Sequence, residues 1–202
     1  MSDQPELSRR DLLARIGAAV TLTGGLSAQD AHRVHETVAA EKSAAKGAYQ
    51  PKALTAHEYA TLRRLADLII PADERSPGAL EAGAAEFIEF LCAASDEMKD
   101  IYTGGIAWLD DAARRRGGSV FLDSPPARQA ALLDEIAWRK NESAELGPGI
   151  RFFSWARRMV VDAYYTSPAG YKELGYMGNT AVARFSVPQE AIDYALKRSP
   201  LA

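Results

Sequence analysis

Leu54-Thr55-Ala56-His57-Glu58-Tyr59-Ala60-Thr61-Leu62-Arg63-Arg64-Leu65-Ala66-Asp67-Leu68-Ile69-Ile70-Pro71 is the stretch that sets the fold class. Thr55 can cap the Glu58 amide while Glu58 reaches back, and Leu54 and Tyr59 are placed to staple that first turn. Tyr59, Leu62, Leu65, Ala66 and Ile69 then recur at helical spacing, so one face is predicted to be buried. Pro71 ends the helix. The residues beyond it, Pro71-Ala72-Asp73-Glu74-Arg75-Ser76-Pro77-Gly78, read as a tight loop. Its two prolines restrict φ, and Gly78 is free for dihedrals that a side chain would resist.

Helical periodicity continues downstream. Phe87, Phe90, Leu91, Ala94 and Met98 fall on one side of a second helix, with Gly104-Gly105 as a candidate interruption before Ile106, Trp108, Leu109 and Ala113. Arg114-Arg115-Arg116 followed by Gly117-Gly118 is a helix C-terminus, with cations on the negative dipole end and glycine beyond. That reading is preferred to phosphate binding by the basic triplet. Ser124-Pro125 starts the next helix as N-cap and first residue, carrying Leu132, Leu133, Ile136 and Trp138. Gly147-Pro148-Gly149 breaks it. A further helix is predicted from about Ile150 to Tyr165, with Phe152, Phe153, Ala156, Met159, Val160 and Ala163 covering a broad apolar surface. No stretch alternates with period two for long enough to make a sheet, and Ser119-Val120-Phe121-Leu122 is at most a short extended piece. There is no internal repeat. The predicted class is all-α, an irregular helical bundle.

Composition excludes more than it suggests. The 202 residues carry 24 basic and 27 acidic side chains, a net charge of −3, and 47% hydrophobic residues. These are ordinary globular values, and they show no concentrated basic face of the kind a nucleic-acid binder needs. One cysteine, Cys92, excludes an internal disulfide and any multi-cysteine metal or iron–sulfur site. The three histidines are His32, His35 and His57, few for a self-contained metalloenzyme.

The N-terminus reads as an address. Ser8-Arg9-Arg10-Asp11-Leu12-Leu13 opens a segment with no charged side chain between Arg15 and Asp30, a run of 14 positions. That is shorter than the roughly 20 apolar residues of a membrane span, and Gly17, Thr21, Thr23, Gly24 and Gly25 dilute it. A basic start, a weak apolar stretch and then small residues describe an export signal. The pattern resembles a twin-arginine signal, with Leu12 and Leu13 in its hydrophobic places and Ala14 where a lysine is common. The organisation expected is a signal peptide over 1–28, with cleavage after Ala28, a connector over 29–50 and a helical domain over 51–202. The connector is rich in Ala, Glu and Lys, and is expected to be helical or loose and outside the core.

Sites of chemistry are sparse. His32 and His35 share one side of a helix but lack a third ligand in sequence, and His57 is expected to be exposed in a first helical turn. Glu86 and Glu89 are three apart, without the Glu-x-x-His pairs of a carboxylate-bridged metal bundle. Asp110-Asp111 and Glu41-Lys42 read as solvated faces, and Cys92 as a buried, inert thiol. No dinucleotide fingerprint, P-loop, haem-attachment motif or nucleophile elbow occurs. Tyr164-Tyr165-Thr166-Ser167-Pro168-Ala169-Gly170-Tyr171, continuing to Lys172-Glu173-Leu174-Gly175-Tyr176-Met177-Gly178-Asn179, holds four of the eight tyrosines. Core packing at a helix end accounts for one or two; four on a Gly-punctuated loop favour a surface built to be covered.

Two stretches carry a family resemblance. Asp67-Leu68-Ile69-Ile70-Pro71-Ala72-Asp73-Glu74-Arg75-Ser76-Pro77-Gly78-Ala79, with Glu81-Ala82-Gly83, resembles a signature of the gluconate 2-dehydrogenase subunit 3 family. Tyr164 to Gly170 and Leu174 to Asn179 are similar to that family's second signature, and the likeness spans roughly residues 55–185. The resemblance implies the small subunit of a periplasmic, membrane-associated sugar or sugar-acid dehydrogenase complex. In such complexes a large FAD-dependent subunit oxidises the substrate, and a multihaem cytochrome c often takes the electrons. The small subunit supplies the twin-arginine signal, read by the twin-arginine translocase, and supports maturation of the flavoprotein. It is credited with no catalytic residue and no cofactor of its own. By the same resemblance the motif positions are expected to shape loops and meet a partner: Pro71, Asp73, Arg75, Pro77, Tyr164, Tyr165, Pro168, Tyr171, Tyr176 and Asn179. The alternatives are a dissociable export chaperone, a stand-alone helical enzyme and a stand-alone helical protein that binds a small ligand.

Overall fold

A computed structural model describes residues 26–175 and 186–198. The five residues of the expected export signal (Ser8, Arg9, Arg10, Leu12 and Leu13) and the interface candidates Tyr176 and Asn179 lie outside the described residues. The described residues are helical, with no strand among them. In chain order the helices are α1 (Ala28–Ala44), α2 (Ala56–Ile69), α3 (Ala84–Ala94), α4 (Asp96–Gly117), α5 (Pro126–Ile136), α6 (Gly147–Tyr165), α7 (Pro168–Glu173) and α8 (Gln189–Arg198). A single 3-10 turn, Arg139–Asn141, links α5 to α6.

Helix α3 is the axis of the bundle. Every residue from Ala84 to Cys92 is buried, as expected of a helix that neighbours cover on all sides. It packs against α4 and α6, which also pack on each other, while α1 and α2 lie against α3 and α5 lies against α6. Phe87, Phe90, Ile88, Leu91, Tyr102, Ile106 and Leu62 are among the largest side chains sealed in this core.

The start of α2 follows its sequence signal. Thr55 Oγ1 accepts from the Glu58 amide at 3.3 Å, and Glu58 Oε2 accepts from the Thr55 amide at 2.8 Å, a reciprocal cap. At the other end of α4, Arg114, Arg115 and Arg116 occupy the last turn and Gly118 caps it in the left-handed region at φ 85°. Both placements agree with the expectations from sequence.

Five expectations are corrected. First, the segment over 29–50 is not outside the core: α1 buries Ala31, Val34 and Val38 against α3. Small apolar residues suffice there because α3 supplies the bulk. The expected cleavage point after Ala28 falls in the first turn of α1, whose N-cap is Ser27.

Second, Gly104-Gly105 interrupts nothing. The break comes at Ser95, which caps α4 by accepting from the Met98 amide at 3.3 Å. Gly105 lies inside α4 because the Phe152 ring fills the space that a Cβ would need, whereas Gly104 faces open space. Third, α5 begins one residue late, with Pro125 as N-cap and Pro126 first in the helix. Trp138 lies beyond its end and is 59% exposed.

Fourth, Gly147-Pro148-Gly149 opens α6. Proline suits a first turn, and Gly149 admits the Trp108 ring. Fifth, Asp110 is buried, not solvated. Its Oδ1 accepts from the Phe121 amide at 3.0 Å and its Oδ2 lies 2.6 Å from His57 Nε2, so it fastens α4 to the following turn and to α2.

Candidate functional site

The loop after α2 is built around one carboxylate. Asp73 Oδ1 accepts from the amides of Arg75 and Ser76, each at 2.8 Å, and the Asp73 amide donates to the Ser76 carbonyl at 3.0 Å. Local bonding of this kind is what Asp does in tight turns. The loop closes at its base where the Ala79 amide donates to the Ile70 carbonyl at 2.8 Å. Gly78 is required at that closure, since a Cβ there would lie 2.5 Å from the Ala72 nitrogen and 2.9 Å from the Ile70 oxygen.

The second stretch turns on Ser167, which is fully buried. Its hydroxyl donates to the Tyr164 carbonyl at 2.6 Å and accepts from the Gly170 amide at 3.1 Å. It therefore ends α6 and caps α7 at once, with Pro168 in the first turn of α7. Gly170 carries no side chain because the Tyr164 carbonyl and the Tyr165 backbone occupy the place of a Cβ.

The structure joins the two stretches through Tyr164. Its hydroxyl donates to Glu173 Oε2 at 2.5 Å, with the Pro77 carbonyl as a second acceptor at 2.9 Å, and it touches the Ser76 hydroxyl. Ser76 donates to the same Glu173 oxygen at 3.0 Å. Residues far apart in sequence thus form one knot, and the loops around it share one face of the molecule.

Pro71, Asp73, Arg75 and Pro168 are exposed on this face, and Pro77 and Tyr171 are half-buried. Tyr165 is 37% exposed and stands edge-on against Tyr164, with ring centroids 5.0 Å apart. Tyr164 itself is 1% exposed, so its side chain is an internal clamp and offers no surface to a partner. Leu174, 60% exposed at the edge of α7, extends the apolar part of the face. Sequence reasoning passed over Ser76, Ser167 and Glu173. The signal for the serines is the Ser-Pro pair that opens Ser76-Pro77-Gly78 and Ser167-Pro168-Ala169-Gly170; nothing local marks Glu173.

The groups weighed for chemistry are placed as struts. His35 lies tilted against Phe87 with centroids 4.7 Å apart and meets Thr166 Oγ1 at 3.1 Å, while His32 pairs with Glu36. Glu86 and Glu89 are both buried. Glu86 Oε1 takes Arg63 at 3.0 Å and Lys42 at 3.5 Å. Glu89 accepts from the Tyr49 hydroxyl at 2.6 Å and from the amides of Lys52 and Ala53 at 2.5 and 2.6 Å. Those two amides leave the chain between α1 and α2 without helical partners, and a buried carboxylate is a strong acceptor for them. Burial pushes the Cys92 thiol well above its usual range, and its sulfur lies 3.8 Å from the Met98 carbonyl. Among the described residues, no group of three or more His, Cys, Asp or Glu is arranged to hold a metal ion. No helix among them is long and apolar enough to cross a membrane.

The described residues form an all-helical bundle in which a Pro- and Gly-rich loop is locked to the junction of α6 and α7 and the buried carboxylates Glu86, Glu89 and Asp110 brace the packing. Residues 56–183 match the family model described as gluconate 2-dehydrogenase subunit 3. The match covers more than half of the chain and includes both loops, so the chain belongs to that family. Neither a curated protein nor a solved structure matches it. The family's name makes its members subunits of a multi-subunit dehydrogenase.

Proposed function

We propose that the chain is the non-catalytic small subunit of a membrane-associated, FAD-dependent sugar or sugar-acid dehydrogenase of the gluconate type. In this reading the Ser8–Leu13 segment addresses the assembled pair to the twin-arginine translocase, and the complex works in the periplasm. FAD resides in the large subunit and haem c in a cytochrome subunit, while this chain stabilises the flavoprotein and supports its maturation. The family match across residues 56–183 carries the proposal. The knotted face gives it a physical basis: tyrosine, proline and arginine stand on a loop pair braced from within, and a preorganised surface loses little entropy on docking.

Replacing both signal arginines, Arg9→Lys with Arg10→Lys, tests it in cells that express the chain with the large subunit. Dehydrogenase activity is expected to move from the periplasmic to the cytoplasmic fraction. Undiminished periplasmic activity would refute the escort role.

A further inference from the structure

Helix α6 carries a second surface, N-terminal along the helix to Tyr164 and the knotted loops. Arg151, Trp155 and Arg158 are spaced by four and three residues, so they share one face. With Arg139 from the 3-10 turn they line an open hollow of about 460 Å³, in which Glu142 is the acidic member. Arg158 lies over the Trp155 ring at 4.4 Å. Arg151 and Trp155 also border an adjoining hollow of about 370 Å³, whose other walls include Trp108, Phe152 and Ile101. The guanidinium groups of Arg139, Arg151 and Arg158 form no ion pair within the described chain, whereas Arg114, Arg115 and Arg116 each have an acidic partner.

Four observations say what fits here. The chain is acidic as a whole, at −3, yet this groove gathers three cations around one carboxylate. Arg and Trp together are the residues that dominate binding energy at protein interfaces, and here they are arranged before any partner arrives. Arg151 and Arg158 lie seven residues apart, about 10 Å along the helix axis. Two or three carboxylates along an extended peptide span that length and can meet both guanidinium groups. The apolar hollow beside them suits an apolar side chain on the same peptide.

We propose that this groove seats an acidic segment, bearing one apolar anchor, of the flavin-bearing subunit; the assignment rests on the subunit reading above. The knotted loops and the groove then grip the same partner at two places.

The experiment co-expresses the tagged full chain with the flavin-bearing subunit and measures flavin per chain after affinity purification. Arg151→Glu with Arg158→Glu is expected to lower that ratio at least tenfold, with an unchanged helical melting curve. Arg157→Glu, whose parent side chain stacks on Phe153 outside the groove, should stay within twofold of wild type. Wild-type complex should also shed flavin subunit as NaCl rises from about 0.05 to about 0.5 M, because exposed charge pairs are screened. A double variant that retains full flavin, or a wild-type complex indifferent to salt, overturns the groove and leaves the subunit reading standing. A wild-type chain that brings down no flavin overturns both. Retained flavin with lost self-association, or with lost binding of inorganic pyrophosphate, assigns the groove to a second copy or to a small anion and likewise overturns the proposal.

Discussion

The Tyr164 hydroxyl holds two loops together with one oxygen atom, since it meets Glu173, Pro77 and Ser76 at once. Tyr164→Phe keeps the ring in the core and removes the hydroxyl that donates to Glu173 and Pro77 and contacts Ser76. Losing such a bond costs about 1–2 kcal/mol, so urea unfolding should show a lower midpoint with an unchanged slope. An unchanged midpoint would mean the loops hold each other without it. The tyrosine count pointed to this stretch but could not sort Tyr164 from Tyr165. Adjacent helical residues diverge by about 100°, so one of them faces inward and the other outward. Ser76 and Glu173 were illegible for another reason: their contact spans 97 positions of chain, and no local pattern encodes it.

At the scale of the element, glycine had two meanings that the sequence alone does not separate. Gly118 adopts positive φ where α4 ends, the usual reading of the residue, and Gly83 adopts it just before α3 begins. Gly105 lies within a continuous helix because α6 presses Phe152 into its face. Gly105→Ala should therefore destabilise the fold by about 1–3 kcal/mol through overpacking. Gly104→Ala, one position away and facing open space, should stabilise it by about 0.5–1 kcal/mol. Thermal unfolding of the pair decides this, and equal shifts would show that the α4–α6 contact is looser than described. Helices with strong caps, such as α2 and the end of α4, were legible to within a residue or two. What escaped were features set by a neighbour: Asp110 is buried because Phe121 and His57 need its oxygens, and α1 is drawn into the core by the bulk of α3.

For the molecule as a whole, acid should loosen the bundle where α1 meets α6. Burial holds His35 at about 4 rather than its ordinary 6.5, a hydrogen bond to the Ala163 backbone opposes this, and the charge of His32 adds to it. The unfolded chain therefore takes up this proton first. The stabilisation is complete above pH 6.5 and is lost as pH falls from there towards about 4. Melting temperatures measured across that window should fall, and His35→Gln should flatten the slope; an equally steep fall in the variant would assign it to other groups. The same α1 bears on how a leader could be trimmed. Ser27 closes the first turn and Leu26 rests on the core, so a peptidase acting on the folded protein would find no extended strand between Leu26 and Ala31 to grip. Severing a leader there would require unwinding the turn and lifting Ala31 off α3. For a chain exported folded, a cut placed before Leu26 would leave that first turn, its capping serine and the Ala31 contact undisturbed.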